Sequence, residues 1–315
     1  MAVIGIDAGG SKIAALVLNQ GEAVEKLRVP TDITSPESVV EGLVEISNRL
    51  RRKAEPRGFE VEAIGVGIAG YIDYQRGVVT FAPNLPLRDL PLRDLLSERC
   101  GLPVFVDNDA NVAALAEAHF GAGQGAKYLV HLTLGTGVGG GIIMDGRVYR
   151  GALGSAAELG HMIIMENGPV CTCGGHGCLE ALVSGWSIAR RVEELTRKQA
   201  ESPMVAEYLQ NPGGFGAEDV ARHAGDGEKF ARSILAAAGR HLGVGIATLV
   251  NIFNPEAVTL SGGLMGAFPY MEMNMRLSID KLAVPLSRRN VRVIPGILGN
   301  EGGQLGAALL PSQPL

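Results

Sequence analysis

Two glycine-rich turns, each set between two apolar runs, constrain this 315-residue chain more than any other feature. The first, Asp7-Ala8-Gly9-Gly10-Ser11-Lys12, is entered from Val3-Ile4-Gly5-Ile6 and left through the apolar residues 13–18. The second, Gly135-Thr136-Gly137-Val138-Gly139-Gly140-Gly141, lies between residues 128–134 and Ile142-Ile143-Met144. Asn19-Gln20-Gly21 and Asp145-Gly146 close the two hairpins as turns. A glycine loop that joins strand to strand excludes the two familiar nucleotide loops, which run from a strand into a helix. Gly135, Gly137 and Gly140 formally satisfy G-x-G-x-x-G, and that reading fails on the same context. What remains is a hairpin whose exposed backbone N–H groups suit phosphate. Taken alone, either loop fits a plain glycine hairpin equally well. Two of them, at residue 7 and again at residue 135, suggest two related halves that grip one phosphate chain.

A second cluster is chemical. Three of the four cysteines fall in Cys171-Thr172-Cys173-Gly174-Gly175-His176-Gly177-Cys178, with Glu180 two residues on and Glu158-Leu159-Gly160-His161 upstream. Three thiols and an imidazole are the ligand set of a closed tetrahedral zinc site. Carboxylates on either side of such a knot, Glu158 and Glu180, are held where substrate hydroxyls need them. One cluster plus Cys100 fits a cytosolic metal site better than a disulfide framework.

A third signal is Asp107-Asn108-Asp109-Ala110-Asn111, which follows the apolar run Leu102-Pro103-Val104-Phe105-Val106 and begins a helix running to Phe120. Asn and Asp are ordinary helix caps, but one cap needs one such residue, and this run has four. A carboxylate fixed at a helix start can accept a proton from a substrate hydroxyl, as a general base must.

The rest of the chain reads as scaffold. An amphipathic helix is expected over 36–52, a strand over 61–69 ending at Gly70, and a rigid proline-bounded loop at Phe81-Ala82-Pro83-Asn84-Leu85-Pro86. Helices follow over 185–198, 217–223 and 227–253, then a strand over 256–260 into Ser261-Gly262-Gly263. A last strand at 291–294 and a last helix at 300–310 complete the set. The N-terminus reads as a strand rather than a signal peptide, and residues 235–250 carry Arg240 and His241, so no membrane span is expected. With 46% hydrophobic and 19% charged residues the chain is globular. A net charge of −5 without a basic stripe argues against nucleic acid as a partner.

Residues 7–12, Asn108-Asp109-Ala110-Asn111, residues 135–141, Glu158-Leu159-Gly160-His161 and Cys171-x-Cys173-x4-Cys178-x-Glu180, in this order, resemble the sugar kinases of the ROK family (repressors, open reading frames and kinases). Within it they are most similar to bacterial-type glucokinases. The resemblance covers nearly the whole chain. It implies an actin-like, hexokinase-type α/β fold (ribonuclease H-like) with two domains around a central cleft and a zinc loop. Residues 1–109, joined by the C-terminal segment 299–315, would form the smaller domain and 110–298 the larger. The resemblance further implies that Asp109 is the catalytic base toward a sugar hydroxyl attacking the γ-phosphorus of ATP. Asp7, Gly9, Gly10, Ser11 and Lys12 would form the first phosphate loop, with Asp7 near Mg²⁺. Gly135, Thr136, Gly137, Val138, Gly139 and Gly140 would form the second, and Gly262 and Gly263 would lie by the adenosine. Gly70, Asn84, Asn108, Asp109, Glu158, His161 and Glu180 would hold the sugar. His161, Cys171, Cys173 and Cys178 would bind structural Zn²⁺.

D-glucose phosphorylated at its 6-hydroxyl is the expected reaction, in the cytoplasm, by a homodimer or homotetramer. Kinases for N-acetylmannosamine, N-acetylglucosamine or fructose are the alternatives within the same chemistry. A sugar-sensing ROK regulator is the alternative outside it; such regulators carry a DNA-binding domain ahead of the first loop, which here begins at residue 7. Two departures stand out: Ser11 replaces a usual threonine, and Leu87-Arg88 stands where the family often has Gly-Trp, bordering the sugar pocket.

Overall fold

The computed structural model describes residues 2–198 and 200–314. Met1, at the start of the expected first strand, and Leu315, at the end of the expected C-terminal segment, lie outside them. In chain order the elements are β1 (Ala2–Ala8), β2 (Lys12–Asn19), β3 (Glu22–Pro30), α1 (Pro36–Ala54), β4 (Val61–Ile68), β5 (Tyr71–Asp73), β6 (Val78–Ala82) and β7 (Leu87–Leu90). Then come α2 (Leu92–Cys100), β8 (Val104–Asn108), α3 (Asp109–His119), β9 (Leu129–Leu134), β10 (Val138–Met144) and β11 (Arg147–Val148). The remainder is α4 (Glu180–Val183), α5 (Gly185–Arg197), α6 (Pro203–Gln210), α7 (Ala217–Gly225), α8 (Lys229–Phe253), β12 (Ala257–Ser261), α9 (Phe268–Leu282), α10 (Pro285–Arg288), β13 (Arg292–Pro295) and α11 (Gly302–Leu309).

The chain divides into two units: 1–131 with 141–157 and 296–315, and 132–140 with 158–295. In the first, β3-β2-β1-β4-β8 make a sheet in which β1 pairs antiparallel with β2 and parallel with β4, Asp7 opposite Ala14 and Gly67. One face is covered by α1 and α2 through Val39, Leu43, Ile46, Leu50, Leu92 and Leu96, all buried. The other is covered by α3 and α11 through Ala116, Leu305 and Ala308. A parallel sheet must be covered on both faces, which is why β1 and β4 are apolar almost without interruption. The expected proline-bounded loop turned out to be the hairpin of a small sheet, β5-β6-β7, with only residues 83–86 in the turn. Alternation in 78–82 is short and imperfect, so the strand left little periodic signal. β3, also unanticipated, is a mostly solvated edge strand carrying Glu22, Glu25, Lys26 and Arg28, a charged composition that hides strands.

A second sheet runs β11-β10-β9-β12-β13. In the second unit α8 and α9 pack closely along Gly239 and Gly243, where a Cβ would come within 2.2 Å of Met271 O and 2.3 Å of Met275 O. By length and composition α8 could cross a membrane, yet 61% of its apolar window is buried in this unit, as suits a core helix. Helix α9 went unread in the sequence because its apolar positions Phe268, Met271, Met275 and Ile279 are diluted by exposed Met273 and Leu277.

Candidate functional site

Asp7 closes β1, and the first glycine loop turns the chain directly into β2. Gly9 donates its N–H to Lys12 O (3.0 Å), and Thr31 Oγ1 donates to Gly9 O (2.6 Å), so the loop is anchored by its own backbone and by the end of β3. Gly10 lies against Asn84, whose carbonyl oxygen would be 2.5 Å from a Cβ there. The structure thus brings Asn84, expected at the sugar, onto the first loop.

At the C-terminal end of β8 the chain enters α3. Asn108 is the N-cap, its Oδ1 accepting from Ala110 N (2.8 Å) and Asn111 N (3.3 Å) while its Nδ2 donates to Gly70 O (3.0 Å). One side chain therefore starts the helix and ties it to the strand end after β4, joining two of the expected sugar residues. Asp109 follows as the first helical residue. Burial pushes its pKa above the ordinary carboxylate value, with the Ala110 N–H pulling the other way. Asp7 is pushed up to about 6, first by burial and then by the charge of Asp109, while Lys12 opposes the shift. Two carboxylates that feel one another in a desolvated place form a site that calls for a cation or a proton.

Beneath these groups lies a feature that sequence reasoning did not reach. Asp107, buried, accepts from Arg150 Nε (2.7 Å) and from Asn111 Nδ2 (2.9 Å) and Asn108 N (2.8 Å). Arg150 is itself buried, stacks 4.7 Å over the Tyr74 ring and reaches Pro314 O (3.4 Å). The run Asp107-Asn108-Asp109-Ala110-Asn111 thus splits its labour: Asp107 and Asn111 hold, Asn108 caps, and Asp109 stays available. A buried arginine following a strand was the available signal, and nothing local says which acid it meets. At the border of the expected sugar pocket, Leu87 is buried in the small sheet and Arg88 lies 4.8 Å over the Phe81 ring.

In the second unit, residues 135–138 form a tight turn with Gly135 N donating to Gly137 O (2.9 Å) and Gly185 N donating to Gly135 O (2.8 Å). Val138 N donates to Glu180 Oε2 (2.9 Å), and Thr172 Oγ1 donates to Glu180 Oε1 (2.9 Å). Glu180 is buried, whereas Glu158 is exposed at the head of the single helical turn that carries His161. His161, Cys171, Cys173 and Cys178 place their ligand atoms within 4.8 Å of one another. Cys173 Sγ and Cys178 Sγ are 3.7 Å apart, as are Cys171 Sγ and His161 Nδ1. Bonds of about 2.3 Å in a tetrahedron set ligand separations of about 3.8 Å, which two of the pairs already match, so the donor set suits zinc. Cys178 is pushed up to about 12 by burial and by the neighbouring thiols, so a cation is required before all three can be thiolates. Gly262, with φ +100°, rests on Leu134 at the end of β9, and Gly263 lines a hollow of about 330 Å³ with Ala217, Arg222, Leu264 and Tyr270.

Residues 3–313 match the model of the ROK family. A glucokinase of Streptomyces coelicolor is 37% identical over 99% of this chain and 98% of its own length. The ROK hexokinase of Thermus thermophilus is also 37% identical, with a TM-score of 0.83 over 98% of this chain and 97% of that one. A ROK family glucokinase from Streptomyces griseus, solved with glucose and AMPPNP, is 34% identical with a TM-score of 0.80 over 99% of this chain and 100% of that one.

Proposed function

The chain belongs to the ROK family, and from that premise we propose that it is an ATP-dependent hexose kinase making glucose 6-phosphate from D-glucose. Its fold is the ROK kinase fold, of the actin-like ATPase and hexokinase type, built on mixed α/β sheets. The observation that carries the reading is Asp109, a carboxylate held at a helix start by the Asn108 cap with its basicity raised by burial. In this reading Asp109 takes the proton of the attacking sugar hydroxyl, and a raised pKa makes it the stronger acceptor. Asn108 fixes the direction of that carboxylate through Gly70 and the helix backbone. The backbones of residues 9–12 and 135–140 receive phosphate oxygens, and Asp7 faces the Mg²⁺ that accompanies ATP. That ion supplies charge neutralisation at the phosphates when bound. The hollow beside Gly263 takes the adenosine, with Tyr270 and Ala217 along its wall.

His161, Cys171, Cys173 and Cys178 would hold zinc in a structural role, since four protein ligands leave no open position for chemistry. His161 turns Nδ1 to that cluster, which leaves Nε2 for the sugar beside Glu158. Exposed Ile252, Met273, Leu277, Leu282, Val284 and Leu286 support a homo-oligomer formed through the helical part of the second unit; sedimentation as a monomer overturns that part. Use of ATP suits the cytoplasm.

We do not favour a sugar-sensing regulator, because the glucokinase match runs across the full length of both chains. An ADP-release assay over a panel of hexoses and N-acetylhexosamines tests the whole reading. Glucose is expected to give the highest kcat/KM, and Asp109→Asn to lower kcat at least about a hundredfold with the fold intact. No hexose-dependent ADP release, or near wild-type turnover in that variant, overturns it.

A further inference from the structure

The expected sugar ligand Glu180 spends both carboxylate oxygens inside the second unit. Oε2 accepts from the N–H of Val138, in the middle of the second glycine loop, and Oε1 from the hydroxyl of Thr172, between two of the clustered cysteines. Two glycines exist in the form this contact demands. A Cβ on Gly137 would stand 2.5 Å from Glu180 Oε2, and a Cβ on Gly160, next to His161, would stand 2.0 Å from Val138 O. The backbone of Val138 is therefore touched on its N–H side by Glu180, two residues after Cys178, and on its C=O side by Gly160, the residue before His161. Cys171 Sγ also lies 3.6 Å from Glu180 Oε1. A metal-bound thiolate has no proton to donate. In the loaded cluster the Thr172 hydroxyl is then the side-chain donor left to that oxygen among the described residues.

We propose that Thr172 and Glu180 are positioning residues through which the His/Cys cluster sets the shape of the second glycine loop, so that metal occupancy controls how well the chain holds the phosphates of a nucleotide. The nucleotide half rests on the kinase reading above; the loop half does not. A carboxylate braced at one oxygen by a fixed hydroxyl presents the other in a constant direction, and a loop N–H bonded to it cannot turn away. Loss of the metal frees residues 171–178, with them Thr172, and then the loop.

Fragment-resolved amide exchange over residues 135–140 reads this directly, with exchange in α8 of the same molecules as the internal reference. Wild type, Thr172→Val and Thr172→Ser are compared with zinc and after chelation. Relative to α8, the loop is expected to exchange about fivefold to tenfold faster in Thr172→Val and in stripped wild type, the factor carried by one net hydrogen bond. Thr172→Ser restores the slow exchange, and Thr172→Val retains its zinc. AMPPNP is expected to bind about fivefold to tenfold more weakly to the two loosened forms. Loop exchange that stays at the wild-type ratio in both Thr172→Val and the stripped protein overturns the proposal. If wild type binds no AMPPNP, the kinase reading fails, while the exchange ratio still decides this one.

Discussion

Asp107 and Glu180 are both buried carboxylates beneath a functional segment, and they are neutralised in opposite ways. Asp107 has a full counter-charge, Arg150, within 2.7 Å, plus two N–H donors that hold the Asp109 helix. Glu180 accepts from a backbone N–H and a hydroxyl, with a thiol nearby and no ion pair among the described residues. The first unit thus holds the Asp109 segment with a protein ion pair, while Asp7 and Asp109 themselves still call for a cation or a proton. The second builds its site around thiols that cannot all ionise unless a cation joins them. The lesson is one of dependence: the segment carrying Asp109 rests on a protein ion pair, whereas the second glycine loop rests on a carboxylate tied to the Cys/His cluster.

The largest effect should come from breaking the complete pair. Asp107→Asn leaves the Arg150 guanidinium buried without its counter-charge, and such a loss costs about 3–5 kcal/mol. Denaturant unfolding is expected to show that loss equally with and without a chelator. A zinc-dependent penalty, or a loss below about 1 kcal/mol, would undo the contrast.

Metal removal is the matching test on the other side. Purified protein should carry about one zinc per chain, absent from Cys173→Ser. Binding at a thousandfold above Kd adds about 4 kcal/mol to stability, which chelation then removes. Metal analysis that finds no zinc, or a melting temperature indifferent to chelation, would make the two sites alike after all.

A smaller effect follows from charge without any metal. With Asp7 raised from 3.8 to about 6, the folded protein holds this proton more tightly than the unfolded chain. Its contribution is present below about pH 4 and is lost as pH rises through 6, up to about 3 kcal/mol for the ligand-free protein. Asp7→Asn should flatten that decline in a pH series of unfolding curves. A decline that persists in the variant would assign it to other groups.

How much could be read beforehand follows from how local each signal is. The glycine hairpins, the Cys/His spacing and the capped Asp109 are each written within a few residues, because turn chemistry, metal ligation and helix capping act at that range. The small sheet β5-β6-β7 and the edge strand β3 were invisible, since their short or charged strands lack a clean alternation.

The sequence by itself therefore determined which chemical groups this protein owns and the loops that present them. Only the tertiary structure decided what supports them. Arg150 meets Asp107 across 43 positions and Val138 meets Glu180 across 42, and Asp7 comes near enough to Asp109 to feel its charge. Such pairings depend on which strand ends the fold brings side by side. A buried charge takes whatever partner the packing leaves within reach, and no spacing in the chain encodes that choice.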